Sequence, residues 1–123
     1  MIRIAIDGPG GAGKSTIAKL VGDKLGLEYI DTGAMYRAVG LKLNRKGIKP
    51  DDLISISNIL EETTIDFVNG KIILDGDDVS DIIRTQEISK FASIYSQIPE
   101  VRSKLVDIQR RIAAGKSVIM DGR

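Results

Sequence analysis

Eight residues near the start of the chain, Gly8, Pro9, Gly10, Gly11, Ala12, Gly13, Lys14 and Ser15, fill the spacing G-x-x-x-x-G-K-[ST] without a gap. Glycines let a backbone curl into a nest of inward N–H groups, and a helix that follows adds the positive end of its dipole. Such a nest holds an anion. Lys14 is placed to reach the β- and γ-phosphate oxygens of a nucleotide, the Ser15 hydroxyl to ligate Mg²⁺, and Thr16 to support the first helical turn. The plain alternative is a glycine-rich turn whose lysine merely caps a helix. Context argues against it: the β-rich run Ile2, Arg3, Ile4, Ala5, Ile6 comes before and an apolar-periodic segment follows, the strand-to-helix setting that this chemistry requires. The loop alone does not choose among the enzymes that use it.

Composition removes several other chemistries. The chain has no cysteine and no histidine, which excludes disulfides, thiolate metal sites, a cysteine nucleophile and histidine acid–base work. Eighteen basic and 17 acidic residues leave a net charge of +1, so the chain carries no broad electrostatic footprint for nucleic acid or an anionic membrane. Any cation that grips a phosphate must act locally. No basic leader with an apolar core opens the sequence and no apolar window of about 18 residues crosses it, which makes a cytoplasmic address the expectation. At 123 residues with 42% hydrophobic content, one soluble domain with a core of its own is expected.

The elements that must position the loop follow in order. Ile17, Ala18, Leu20, Val21, Lys24 and Leu25 form a helical stripe closed by Gly26, and residues 27–30 read as a second strand. Asp31 or Thr32 suits the cap of a helix over 34–45, with Met35, Ala38, Val39, Leu41 and Leu43 inward. Strand, phosphate loop, helix, strand, helix opens a doubly wound α/β domain, whose ligands sit outside the carboxyl ends of the strands. Residues 8–15 and 31–37 are then expected to line one crevice. A short helix over 51–62 should bury Leu53, Ile56, Ile59 and Leu60. Asn69-Gly70, between the β-rich runs 64–68 and 71–74, signals a type I′ hairpin. Residues 75–78 make a further turn whose carboxylates lack the spacing of a calcium loop, and 79–83 read as a third short strand or the start of a helix. Thr85 caps a helix carrying Ile88, Phe91, Ala92 and Tyr95; Pro99 opens another with Val101, Leu105, Ile108, Ile112 and Ala113, ended by Gly115. Residues 117–120 are a third apolar strand, running into Asp121, Gly122 and Arg123. Met35 and Met120 read as core.

Four separated blocks, residues 6–16, Asp31-Thr32-Gly33-Ala34-Met35-Tyr36-Arg37, Ile83-Arg84-Thr85-Gln86-Glu87 and Met120-Asp121-Gly122-Arg123, together resemble the bacterial cytidylate kinases, P-loop nucleoside monophosphate kinases. The resemblance covers essentially the whole chain. It implies an α/β fold: a P-loop NTPase-like parallel sheet with flanking helices and a small antiparallel β insert. Residues 1–50 and 85–123 would form the nucleotide-binding core and 51–84 the helix and hairpin insert of the monophosphate-binding region. By the same resemblance Arg37 and Arg123 grip the acceptor phosphate, Asp121 orients the hydration shell of Mg²⁺ beside Ser15, and Ser93 and Arg102 read the cytosine ring. Thr32 stands where the family usually has a serine beside the acceptor nucleotide. Read without the family, Ser93 and Arg102 are ordinary helix-surface residues. Asp7 is expected to shape the loop rather than act as a base, since phosphoryl transfer rests on positioning and charge neutralisation.

The implied activity is transfer of the γ-phosphoryl of ATP to CMP or dCMP with Mg²⁺, with no nucleic-acid or membrane partner. In the family the Asp-Gly-Arg block runs on into an aspartate, a further strand, an arginine-bearing lid and two more core elements, so the chain resembles somewhat over half of the enzyme. Two alternatives stand beside the kinase: a phosphate- or nucleotide-binding module without turnover, and another small-molecule P-loop kinase. With three parallel strands and the first normally central in such sheets, self-association through an uncovered strand edge is also expected.

Overall fold

The computed structural model describes residues 2–6 and 14–121. Expectations placed on Asp7, on the loop residues Gly8, Pro9, Gly10, Gly11, Ala12 and Gly13, and on Gly122 and Arg123 fall outside the described residues, as do those resting on the side chains of Lys14, Ser15 and Asp121. The described chain is α/β: a three-stranded parallel sheet, five helices and a small antiparallel sheet.

Strand β1 (Arg3–Ile6) leads towards the loop, and helix α1 (Lys14–Leu25) follows it. β2 (Glu28–Asp31) then runs directly into α2 (Thr32–Arg45), because Asp31 closes the strand with extended backbone and its side chain caps the helix. The third parallel strand, β6 (Val118–Asp121), comes from the far end of the sequence and lies between the other two, in the order β1-β6-β2. Its register pairs Asp121 with Ile6 on one side and with Asp31 on the other. The carboxyl ends of all three strands therefore finish level.

Between β2 and β6 the chain builds a second unit. Asp52 caps α3 (Leu53–Glu61) through Ser55 N–H. β3 (Ile65–Val68) and β4 (Lys71–Leu74) turn at Asn69-Gly70, whose φ angles of 52° and 78° are those of a type I′ turn. A second such turn follows at Asp75-Gly76, with φ of 49° and 88°, and adds β5 (Asp77–Asp78) to the same sheet. Of the two expectations for 79–83, a third short strand or the start of a helix, the strand is formed instead by the two residues before it, and a single 3-10 turn (Ile82–Arg84) occupies the later part. Local preference did not favour Asp77-Asp78 as strand. The turn geometry and the anchoring of Asp75 impose it. Thr85 then caps α4 (Gln86–Tyr95) through Ile88 N–H, and Pro99 begins α5 (Pro99–Gly115).

The alternating faces of β3 and β4 bury Ile65, Phe67, Ile72 and Leu74 in the same cluster as Met35, Val39 and Leu43 of α2 and Val101, Leu105 and Ile108 of α5. The inward stripes expected for α2, α4 and α5 are those observed. Helix α1 departs from expectation: of its apolar stripe only Ala18 is fully buried, packed with Leu27 and Ile119, while Ile17, Leu20 and Leu25 are exposed. Periodicity marks a stripe but does not supply its cover, and among the described residues α1 rests on β6 and β2. Leu53, expected inward, also faces solvent at the first turn of α3. Among the described residues no helix is long and apolar enough to cross a membrane.

Candidate functional site

The level carboxyl ends of the sheet set the frame. Ile6, the last described residue before the glycine loop, Asp31 and Asp121 share one row of backbone pairing. The segment leading into the loop and the start of α2 are held at one edge by hydrogen bonds to the same central strand.

Asp31 is the hinge of this arrangement. One carboxylate oxygen, Oδ1, accepts the N–H of Ala34 at 3.2 Å and so caps α2. The other, Oδ2, lies 3.5 Å from Nη2 of Arg37. Arg37 projects from the second turn of α2, with its side chain 30% exposed, and its Nε is buried with no hydrogen-bond partner among the described residues. A guanidinium offers five N–H donors in a planar fork. Among the described residues a single loose carboxylate contact engages it, and its other donors have no partner there.

Helix α4 closes over this side chain because α2 carries glycine where the two helices cross. A Cβ at Gly40 would stand 3.0 Å from the backbone N of Ala92 and 3.3 Å from its Cα. The close approach leaves a cavity of about 250 Å³ lined by Gly33, Tyr36 and Arg37 from α2, by Ser89, Ala92 and Ser93 from α4, and by Ser96, the C-cap of α4. Arg37 and Ser93, 56 positions apart in sequence, thus face one space. Ser96 is already engaged, its hydroxyl donating to the Ser93 carbonyl at 3.0 Å. Arginine with hydroxyls around a concave space suits a phosphate attached to a polar group.

The other expected residues are placed less closely. Thr32 is buried at the first position of α2, and Thr16 is exposed in the first turn of α1. Arg102 stands exposed on α5 and is not among the residues lining this cavity. Sequence reasoning placed Asp31, Gly33 and Tyr36 in the expected crevice only as part of the stretch 31–37, gave Asp31 no role beyond a cap, and missed Ser89 and Ser96. A signal was present for part of this: Gly33, Arg37 and Gly40, at i, i+4 and i+7, share one helical face, and small residues on such a face allow another helix to come near.

The hairpin unit is fastened to this frame at both of its turns. Glu28 of β2 accepts the N–H groups of Asn69 and Gly70 at 3.2 and 3.1 Å. Lys116 donates to the Phe67 carbonyl at 2.6 Å and pairs with Asp66 at 3.2 Å. At the second turn Asp75 accepts the Thr64 N–H at 2.8 Å and pairs with Lys42 of α2 at 2.6 Å. Burial raises the Asp75 carboxyl, but the Lys42 ammonium and the Thr64 donors together outweigh it and hold the group below its ordinary value. The exposed Asp78 is lowered as well, first by its hydrogen bonds with Ser80. These carboxylates are occupied by the protein's own donors, as expected of a turn rather than a calcium loop.

The sequence pattern of the family described as cytidylate kinase matches residues 4–123. Among curated relatives, the cytidylate kinase of Caldanaerobacter subterraneus subsp. tengcongensis is 52% identical over 122 residues, which is 99% of this chain and 54% of that protein. That of Caldicellulosiruptor bescii is 54% identical over 126 residues, 99% of this chain and 56% of that protein. The cytidylate kinase of Fervidobacterium nodosum is 49% identical over 121 residues, 98% of this chain and 55% of that protein. The chain spans about half the length of the curated relatives it matches. With a family match over residues 4–123 and relatives at about 50% identity along nearly all of its length, this chain belongs to the cytidylate kinase family.

Proposed function

We propose that the protein is a nucleoside monophosphate kinase that transfers the γ-phosphoryl of ATP to CMP or dCMP, and that these residues supply its phosphate loop and part of its acceptor site. The observation that carries the reading is the Arg37 guanidinium, which has one carboxylate partner among the described residues and lines one cavity with Ser93. Family membership raises it from an anion site to a nucleotide site.

In this reading the N–H groups of residues 8–15 and the Lys14 ammonium hold the donor phosphates. Helix α1 has no acidic residue in its first turn, so its positive end meets no competing carboxylate from its own sequence. Ser15, and Asp121 through water, are the residues that would hold Mg²⁺, whose chemistry is to neutralise charge on the phosphoryl oxygens. Arg37 and Arg123 orient the acceptor phosphate so that one of its oxygens bonds to the γ-phosphorus as the bond to the ADP oxygen breaks. Thr32, Ser93 and Arg102 contact the rest of the acceptor. Soluble nucleotides as substrates fit a cytoplasmic place of work.

For the 123 residues by themselves we propose binding without useful turnover, because arginine clamps on a transferring phosphoryl are worth about 10³ to 10⁵ in rate and the family relatives are about twice as long. An ADP-release assay with CMP, dCMP, UMP, shikimate and gluconate as acceptors, run on a family-length protein and on these residues alone, tests both statements. Turnover should depend on CMP or dCMP in the longer protein and nearly vanish in the shorter. Turnover with shikimate or gluconate in place of CMP would overturn the acceptor assignment, and brisk turnover by the short chain would overturn the second statement.

A further inference from the structure

We infer that Asp31 is a positioning residue that sets the Arg37 guanidinium from the cap of its own helix, with Gly33 kept bare to admit the pair. The inference rests on the reading of Arg37 as an acceptor-phosphate ligand. It adds how that side chain is aimed.

Three independent features converge. Asp31 is immobilised twice over: its backbone pairs with β6 at the end of the sheet, and Oδ1 is fixed by the Ala34 N–H at 3.2 Å. The geometry of a cap then directs the second oxygen to the outer side of the first turn, where Oδ2 meets Nη2 of Arg37 at 3.5 Å. Arg37 has no other partner of its guanidinium among the described residues, and its Nε is orphaned, so the long side chain takes its direction from Asp31. Lastly, Gly33 sits in the first turn of α2 with no backbone angle that demands glycine. A Cβ there would lie 3.2 Å from Asp31 Oδ1 and 3.4 Å from Arg37 Nη1. Glycine inside a helix costs stability relative to alanine, and what it leaves room for here is the meeting of the two charged groups.

Both side chains are about a third exposed, 30% for Arg37 and 37% for Asp31, so the pair contributes little to folding. Its effect is on the freedom of the arginine. Ordering a rotamer-rich side chain at a binding site costs about 0.5–1.5 kcal/mol, and holding it ready beforehand recovers part of this, an affinity gain of roughly two- to tenfold.

Asparagine caps a helix as well as aspartate but carries no charge, so Asp31→Asn separates the two roles. In the full protein, calorimetric titration of CMP should show affinity falling roughly two- to tenfold with little change in melting temperature. The loss should disappear in an Arg37→Ala background, where there is nothing left to aim. Gly33→Ala, which keeps both charges, should weaken CMP in the same way. Asp52→Asn is the matched control: Asp52 caps α3 at the same 3.2 Å through Ser55 N–H and pairs with no arginine among the described residues, and its CMP affinity should be unchanged. NMR relaxation of the Arg37 Nε–Hε group, without ligand, should show a more mobile guanidinium in Asp31→Asn. Unchanged or tighter CMP binding by Asp31→Asn, or an equal loss in the Arg37→Ala background, would overturn the inference. If the wild-type protein binds no CMP, it is the acceptor reading that fails. The relaxation measurement then decides the aiming role alone, and an equally ordered guanidinium in both proteins refutes it.

Discussion

Replacing Gly40 by alanine tests whether the α2–α4 contact builds the candidate site. The added Cβ would stand 3.0 Å from Ala92 N, 3.3 Å from Ala92 Cα and 3.3 Å from Phe91 C, all of them backbone atoms in a helix that can yield only by moving as a body. Overpacking of this kind costs about 1–3 kcal/mol, whereas alanine in a helix interior returns about 1 kcal/mol. The net expectation is a loss of about 1 kcal/mol, roughly 4 °C in melting temperature for a domain of this size. Gly115→Ala supplies the contrast, since nothing lies within 4 Å of its missing Cβ and it closes α5 without a positive φ. It should gain a few tenths of a kcal/mol, up to about 1. The shift of α4 should also reach Ser89, Ser93 and Ser96, so Gly40→Ala is expected to weaken CMP binding while Gly115→Ala leaves it alone. Thermal melts paired with CMP titrations read both effects. A Gly40→Ala protein as stable as Gly115→Ala, with wild-type affinity, would show that the close approach does not shape the cavity.

Further outcomes are expected elsewhere. Lys14→Ala should abolish ATP binding with the fold intact, and undiminished affinity in calorimetry would count against the loop assignment. In a family-length protein Arg37→Ala should weaken all monophosphate acceptors, whereas Arg102→Ala should narrow the preference for CMP over UMP, by about 1–3 kcal/mol if a base-edge group is left unpaired; equal losses for both nucleotides in both variants would remove the base-reading role. Because Asp75 is held below the ordinary carboxylate value of 3.8, its contribution is present above that pH and disappears as pH falls through the lower folded value. Lys42→Met should therefore cost about 1 kcal/mol or less at neutral pH and nothing once Asp75 is protonated in both proteins, a convergence that acid titration of the two melting curves would reveal or deny. We also propose that a polypeptide of these 123 residues self-associates, since β1 pairs only with β6 among the described residues and Ile2, Ile17, Leu20 and Leu25 are exposed nearby in sequence; sedimentation showing a monomer at every concentration, with the amides of residues 2–6 protected from hydrogen exchange, would count against this.

Where the fold was legible in the sequence, the information was local. Asn69-Gly70 needs positive φ at two successive residues, and few pairs other than Asn-Gly supply it cheaply, so the hairpin could be read from two letters and their β-rich flanks. Thr85 before Gln86, and Pro99 at the first position of α5, carry the same kind of message for helix starts. The second turn was half legible. Asp75-Gly76 marked a reversal, but Asp77-Asp78 has no preference for a strand and becomes one because Asp75 is tied to Lys42 and Thr64 while β4 is already in place to pair with it. For α1 the period was readable and the burial was not. A stripe says that something could cover it, and cover is a property of the other elements.

The candidate site divides along the same line. Its glycine loop is eight consecutive residues and could be read as chemistry at once. The proposed acceptor side is a cavity lined by residues from 33–37 and 89–96, and nothing local in either stretch announces the other. They meet through two tertiary facts. The first is register: β6, drawn from the last residues of the described chain, sets Asp31 level with Ile6, so that the cap of α2 lands at the edge from which the loop leaves. The second is the glycine crossing at Gly40, which lets α4 carry its serines up to Arg37. A residue such as Arg37 therefore carries two messages of different kinds. Its place in the block 31–37 suggests an acceptor-phosphate ligand only through the family resemblance, whereas the fold sets its Nη2 3.5 Å from Asp31 Oδ2, leaves its Nε without a partner among the described residues, and brings Ser89 and Ser93 to line the same cavity.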